Sequence, residues 1–194
     1  MEQGFGHSAP RLEDMRLLRG EGCFTADLNA DGQAYMHVLR SPHGHADIAA
    51  IDGTAARAAA GVLAVLTGAD ARADGLGAMA ADDGPANRDG SPPLSPPQPV
   101  IARHRVRYVG EPVAVVIAES LAAARDAAEL IEVDYAPLDA VGTLAAAAAT
   151  GAVRLWDDAP GNVALDWQAG DRAATDRAFA AAAHVISLEL VDNR

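Results

Sequence analysis

An α+β fold, with a mixed sheet and helices packed on it, is the class this sequence predicts, and three features predict it. Half of the 194 residues are apolar, enough to close a core and too many for a disordered chain. Strand-length apolar runs alternate with short alanine-rich helical patterns along most of the length. Within 107–138, "RYVGEPVAVVIAESLAAARDAAELIEVDYAPL", an apolar run, an amphipathic helix and an alternating strand follow one another directly. Aromatic residues make up only 4% of the chain, so the core is built from many small contacts. The length suits one full domain and part of a second.

The elements follow in order. Residues 1–19 read as a tail and lead-in. After the Asp31-Gly32 turn signal, "QAYMHVLRSP" is a strand ended by Pro42. "HADIAAIDGT" is a second strand with Ile48 and Ile51 toward the core. Thr54 is the expected cap of a short helix stopped by Gly61, and "VLAVLTG" is a third strand. From 70 to 99 the pattern lapses into a long Pro/Gly-rich surface loop, with five prolines between 92 and 99. A loop of that length is usually functional or an interface.

Pro112 then starts a strand, where its missing N–H is harmless. "VAVVIA", 113–118, is apolar on both faces, as an interior strand requires. Ser120 caps a helix over 121–130 that turns Leu121, Ala124, Ala127, Ala128 and Leu130 inward. "IEVDY" alternates, which completes a β-α-β unit, right-handed if its strands are parallel. Thr143 caps another short helix, stopped by Gly151. A connector carrying both tryptophans leads to a helix from about 172 to 183 and a last strand, "HVISLELVDN".

Composition narrows the function classes. Fifteen basic against 27 acidic residues, a formal charge of −12, argue against a nucleic-acid or anionic-membrane surface. No apolar run approaches the roughly 18 residues of a membrane span, and "MEQGFGHSAP" is not a secretory signal. Cys23, the one cysteine, permits neither an internal disulfide nor a cysteine-ligated cluster. It reads as a small, buried or half-buried hydrophobe, and a reducing cytoplasm suits it.

Chemistry-bearing motifs are sparse. "GLGAMA", 75–80, fits a loose dinucleotide pattern but lacks the strand before it and the helix after it. "VGEP", 109–112, is a tight turn into a strand, and the functional alternative has Glu111 lining a site shared with another domain. His43 and His45, two apart in "SPHGH", would need another metal ligand. His37 and His184 sit on strand patterns as packed or half-exposed residues. No catalytic, cofactor-binding or metal-ligating residue is assigned, for no Ser/His/Asp order or oxyanion signature stands out.

"RLEDMRLLRGEGCFTADL", "YMHVLRSPHGHADIAAIDGTAARAAAGVLAVLTGAD" and "RYVGEPVAVVIAESLAAARDAAELIEVDYAPLDAV" resemble the N-terminal region of the large molybdenum-binding subunit of the xanthine dehydrogenase, aldehyde oxidase and aerobic carbon monoxide dehydrogenase family. The resemblance covers roughly 11–194. It implies an α/β hammerhead domain over 20–142. Residues 143–194 would then be a connector and the truncated start of a first molybdopterin-binding domain. It further implies oxidative hydroxylation of aldehydes or N-heterocycles, or carbon monoxide oxidation, by the whole assembly. Molybdenum–molybdopterin would be held by the remainder of the subunit, with iron–sulfur and flavin subunits as partners. The family's cofactor loops and catalytic glutamate match no position here, and Glu111 is not that glutamate. A stand-alone, non-catalytic binding or scaffolding domain is the competing expectation. The pattern's stop within a strand at Arg194 leaves an unpaired edge and favours the first.

Overall fold

The computed structural model describes residues 6, 10–79 and 84–190. In chain order its elements are helix α1 (Asp14–Leu18), strand β1 (Tyr35–Arg40), strand β2 (Ala46–Asp52), helix α2 (Thr54–Ala58), strand β3 (Val62–Thr67), helix α3 (Gly68–Ala73), strand β4 (Ala78–Met79), strand β5 (Gln98–Pro99), strand β6 (Arg105–Val106), strand β7 (Pro112–Ala118), helix α4 (Leu121–Ala128), strand β8 (Glu132–Pro137), helix α5 (Leu144–Ala148) and helix α6 (Arg172–Ala181). The strands form three small sheets, ordered β1-β7-β3, β6-β2-β8 and β4-β5.

Two compact units divide these elements. The first gathers the chain up to Leu39, Asp52–Val65 and Val115–Glu132. Val116 and Ala118 of β7 are fully buried, because this strand is the middle member of its sheet and is covered on both faces. Ser120 caps α4 by accepting the Ala123 N–H, and α4 buries Ala124, Ala127 and Ala128. Alanines on that face let α2 and α4 approach closely. Gly61 closes the turn before β3 with φ +75°, a conformation costly for any other residue.

The second unit gathers Arg40–Ile51, Leu66–Ala114 and the chain from Val133 onward. Its core is Ala46, Ala102, Val106 and Val113, against which Ile48, Ile51, Val133 and Tyr135 pack. Gly68 marks a close approach, since a Cβ there would lie 2.5 Å from the Ala102 carbonyl oxygen. The 84–99 loop is tethered to the connector. The Arg88 guanidinium donates to Asp166 Oδ2 at 2.6 and 3.0 Å, and Leu94 N–H donates to the Ala164 carbonyl.

Several expectations change. Thr54 is the first residue of α2 rather than its cap. Gly53 holds the cap position, and Asp52 Oδ1 accepts the Thr54 N–H instead. The 70–99 loop opens on α3, where Asp70 accepts both the N–H and the hydroxyl of Thr67. Leu121 and Leu130 stay substantially exposed, because α4 ends at Ala128 and only Ala124, Ala127 and Ala128 along it are buried. β7 and β8 lie in different sheets, so 113–135 is not a single-sheet β-α-β unit. The contacts that place β8 beside β2 are long-range: Leu138 N–H donates to the His45 carbonyl, and Val133 and Tyr135 join the second core. Residues 184–190 form no strand, since among the described residues none pairs with them. Residues 191–194 and Ala80 lie outside the described residues.

Replacing Val116 by Ala removes two fully buried methyl groups and is expected to lower unfolding stability by about 2 kcal/mol. Leu144→Ala, at a side chain 91% exposed, is expected to stay within about 0.5 kcal/mol. Denaturant unfolding of both variants checks the pair.

Candidate functional site

Two turns in the second unit, each prominent in the sequence, bind one another. The Ser41 N–H donates to the Glu111 carbonyl at 2.9 Å, and the Gly110 N–H donates to the Ser41 carbonyl at 2.8 Å. The Arg40 guanidinium donates to the Gly110 carbonyl at 2.8 Å. Gly110 has φ +91°, which suits glycine and allows this exchange. Ser41 is buried, and its Oγ accepts the His43 N–H at 3.0 Å. The His43 ring lies 4.8 Å from that of Tyr135.

Glu111 follows the turn and is 6% exposed. Its Oε2 accepts the Arg107 N–H at 2.5 Å. Burial pushes its carboxyl above the ordinary range. The Arg107 amide and guanidinium offset this in part. The Arg107 guanidinium lies 3.6 Å from the centre of the Trp156 ring, and its Nε donates to the Leu155 carbonyl at 2.8 Å. That is a cation–π contact with the cation's own donor also engaged. Gln98, Tyr108 and these residues line a cavity of about 250 Å³. Beside it, Arg105 donates to both oxygens of Asp47, at 2.5 and 3.2 Å, and this holds Asp47 below the usual carboxylate range.

The other singled-out residues disperse. His45 is buried, its Nδ1 2.7 Å from the Asp139 carbonyl and its Nε2 without a hydrogen-bond partner among the described residues. His43 faces Tyr135 instead, so the two histidines do not converge. Among the described residues no three His, Cys, Asp or Glu side chains group as metal ligands. Cys23 is exposed rather than buried or half-buried, and the 3-10 turn beside it, Thr25–Asp27, holds no buried residue. His37 is half-buried on β1, whereas His184 is exposed on no strand. The "GLGAMA" motif follows α3 and leads into β4, the reverse of the strand-then-helix order that binds a pyrophosphate.

Asn162 is a residue that sequence reasoning missed. It sits at φ 55°; its Oδ1 accepts the Leu155 N–H, and its Nδ2 donates to the carbonyls of Ala147 and Val153. These bonds hold the strip that presents Leu155 and Trp156. The one signal available was "PGN", a turn-forming triplet.

Short helices and three small sheets, joined here by two interlocked turns, define a mixed α+β domain. The family model for the aldehyde oxidase and xanthine dehydrogenase a/b hammerhead domain matches residues 19–139, and the chain belongs to that family. It is 39% identical over 184 residues to the nicotine 6-hydroxylase large subunit of Paenarthrobacter nicotinovorans, covering 94% of this chain and 21% of that one. It is 34% identical over 201 residues to the carbon monoxide dehydrogenase large chain of Afipia carboxidovorans, covering 97% and 23%. Among solved structures, a Cu,Mo carbon monoxide dehydrogenase aligns with TM-score 0.71 at 34% identity, over 94% of this chain and 23% of that one. Quinoline 2-oxidoreductase from Pseudomonas putida 86 aligns with TM-score 0.63 at 42% identity, over 73% and 17%. The chain thus spans about a fifth of the length of the relatives it matches. Those relatives are subunits of larger enzymes. No helix among the described residues is long and apolar enough to cross a membrane.

The residues lining this cavity do not fit an anionic, phosphate-bearing molybdenum cofactor. The cavity offers one guanidinium, already engaged by Leu155 and Trp156, and opposes an anion with the Glu111 carboxylate. Its volume lies below the roughly 300 Å³ at which small-molecule sites begin.

Glu111 generates a pH test. Its folded value lies above the ordinary 4.5, so the folded chain holds the proton more tightly than the unfolded one. Its stabilising contribution is therefore full at low pH and lost as pH rises through the raised value. Glu111→Gln keeps an acceptor for the Arg107 amide and removes the charge. Urea unfolding is expected to show the variant matching wild type near about pH 4 and exceeding it near about pH 8; a variant weaker at the higher pH contradicts this. Asn162→Ala is expected to cost about 2 kcal/mol and to alter Trp156 fluorescence, read in the same titrations.

Proposed function

We propose that this chain is the hammerhead-bearing part of the large subunit of a molybdenum-cofactor oxidoreductase. The hammerhead occupies 20–142, and 143–194 opens the first cofactor-binding domain. The chain contributes shape and contact surface, and no catalytic, cofactor-binding or metal-ligating residue is among its own. The remainder of the subunit holds molybdenum–molybdopterin, which supplies the redox chemistry when bound. The assembly carries out oxidative hydroxylation of aldehydes or N-heterocycles, or oxidation of carbon monoxide. Iron–sulfur and flavin partners take the electrons away, and the cytoplasm is the compartment.

The observation that carries this reading is the family match over 19–139 within relatives about five times longer. The site's chemistry supports it too. The buried carboxylate and the guanidinium face backbone groups and an aromatic ring, and so shape a wall rather than a reacting centre. In enzymes of this kind the protein positions the cofactor and tunes the field around it, and a rigid wall is one part of that task.

The purified chain is expected to carry no molybdenum by elemental analysis and to oxidise no aldehyde, purine or carbon monoxide with an artificial electron acceptor. Turnover of any of these by the chain alone overturns the proposal.

A further inference from the structure

We propose that the cleft between α3 and residues 99–103 binds a small organic oxyanion, a carboxylate or phosphate ester carried on a compact apolar body. Arg72 and Arg103 take the oxyanion, and Leu76, Pro99, Val100 and Ile101 take the apolar body. The cleft has a volume of about 330 Å³ and lies wholly within Leu66–Ala114 of the second unit. That size falls inside the range of small-molecule sites, which pair apolar walls with a few placed polar groups.

The two guanidiniums share the cleft because of how α3 is seated. A Cβ at Gly68 would lie 2.5 Å from the Ala102 carbonyl oxygen and 3.0 Å from the Arg103 Cα, so the start of α3 rests directly on the backbone that carries Arg103. Arg72 follows Gly68 by four residues, which puts it on the same face of the helix. The opposite wall is folded back by the end of α3. Gly75, at φ +78°, donates its N–H to the Arg72 carbonyl, and Leu76 donates to that of Ala71. The pairing Ala78↔Pro99 then closes the loop onto β5. The glycines of "GLGAMA" thus shape a wall and cradle no pyrophosphate. The charge of the cleft is the second observation. Acidic residues outnumber basic ones 27 to 15, yet among the described residues neither Arg72 nor Arg103 is ion-paired, and no carboxylate lines the cleft. Asp70, on the same helix, is turned onto Thr67. Arg103 is half-buried, where a guanidinium with open donors favours a carboxylate or phosphate partner.

The test is calorimetric titration of the 194-residue chain with benzoate, phenyl phosphate, benzyl alcohol and inorganic phosphate. At least one of the two aryl anions is expected to saturate with Kd at or below about 1 mM, and the tighter of them tells carboxylate from phosphate ester. Benzyl alcohol keeps the ring without the charge, and inorganic phosphate keeps the charge without the ring. Each is expected to bind at least about tenfold more weakly. Arg72→Gln and Arg103→Gln are each expected to lower the affinity about tenfold, with urea unfolding midpoints close to wild type. Arg125→Gln, at an exposed arginine on α4, leaves the affinity unchanged. Failure of both aryl anions to saturate at about 10 mM overturns the site. Benzyl alcohol or inorganic phosphate binding as tightly as the aryl anions overturns the ligand class. Affinity that survives both arginine variants places the binding elsewhere and overturns the assignment as well.

Discussion

The hydrogen-bond exchange between Ser41 and the Gly110–Glu111 turn is the constraint from which the second unit's arrangement follows. It joins points about seventy residues apart in sequence, with Ser41 and Glu111 both buried. A single such bond contributes only about 1 kcal/mol net. Breaking it leaves a buried donor or acceptor without water, which costs more than the bond returns. Gly110 is required by its φ of +91°. Pro112, next but one, begins β7 without an amide that would need a partner. Once the turns are fixed, three side chains acquire their positions. Glu111 is turned onto the Arg107 amide, Arg107 onto Trp156, and His43 onto Tyr135.

Small residues make this arrangement possible and also limit it. The fully buried set is dominated by alanine and valine. Each buries little area, so no single one supplies more than a modest share of the hydrophobic stabilisation. Backbones can instead approach closely. At Gly68 the approach to the Ala102 carbonyl leaves no room for even a methyl group. A core of this type depends on backbone hydrogen bonding and on fit, not on large anchors. That is why a buried seryl side chain can take part in it without an apolar substitute.

Local structure was largely legible in the sequence, and long-range structure was not. The Ser120 and Thr143 caps, the start at Pro112, the stops at Gly61 and Gly151 and the interior character of Val113–Ala118 all arise from rules acting within a few residues. The Thr54 cap failed because the helix begins one residue earlier than the pattern suggests: Gly53 holds the cap position, and Asp52 Oδ1 accepts the Thr54 N–H. Sheet membership failed because the partner of β8 is set by His45 and by a core shared with Ile48 and Ile51, which no local pattern encodes. Both motifs that form the turn lock, "SPHGH" and "VGEP", stood out as punctuated and charged. Nothing in either revealed that its partner was the other. Glu111 was legible as a residue worth attention; its burial and its bond to Arg107 were not. Asn162 was hidden for the same reason, since its three partners lie seven to fifteen residues before it.

A buried carboxylate with a raised affinity for its proton invites a reading as a general acid. The geometry here favours a different one. Desolvation is the largest cause of the shift at Glu111, and burial alone produces such a shift at any position, catalytic or not. What separates the two cases is where the oxygens point. Glu111 Oε2 holds a backbone amide four residues earlier, which closes the turn that carries both Arg107 and Tyr108. Removing the proton therefore leaves the hydrogen bond in place, and the group's position does not depend on its charge. A proton donor must release and recover its proton at a reacting atom. This carboxyl instead fixes the curvature of a loop, and through it the face that Arg107 and Trp156 present. The Arg105–Asp47 pair beside it acts in the same sense, tying β6 to β2 at the register Asp47↔Arg105. Charge in this unit is thus used to set shape.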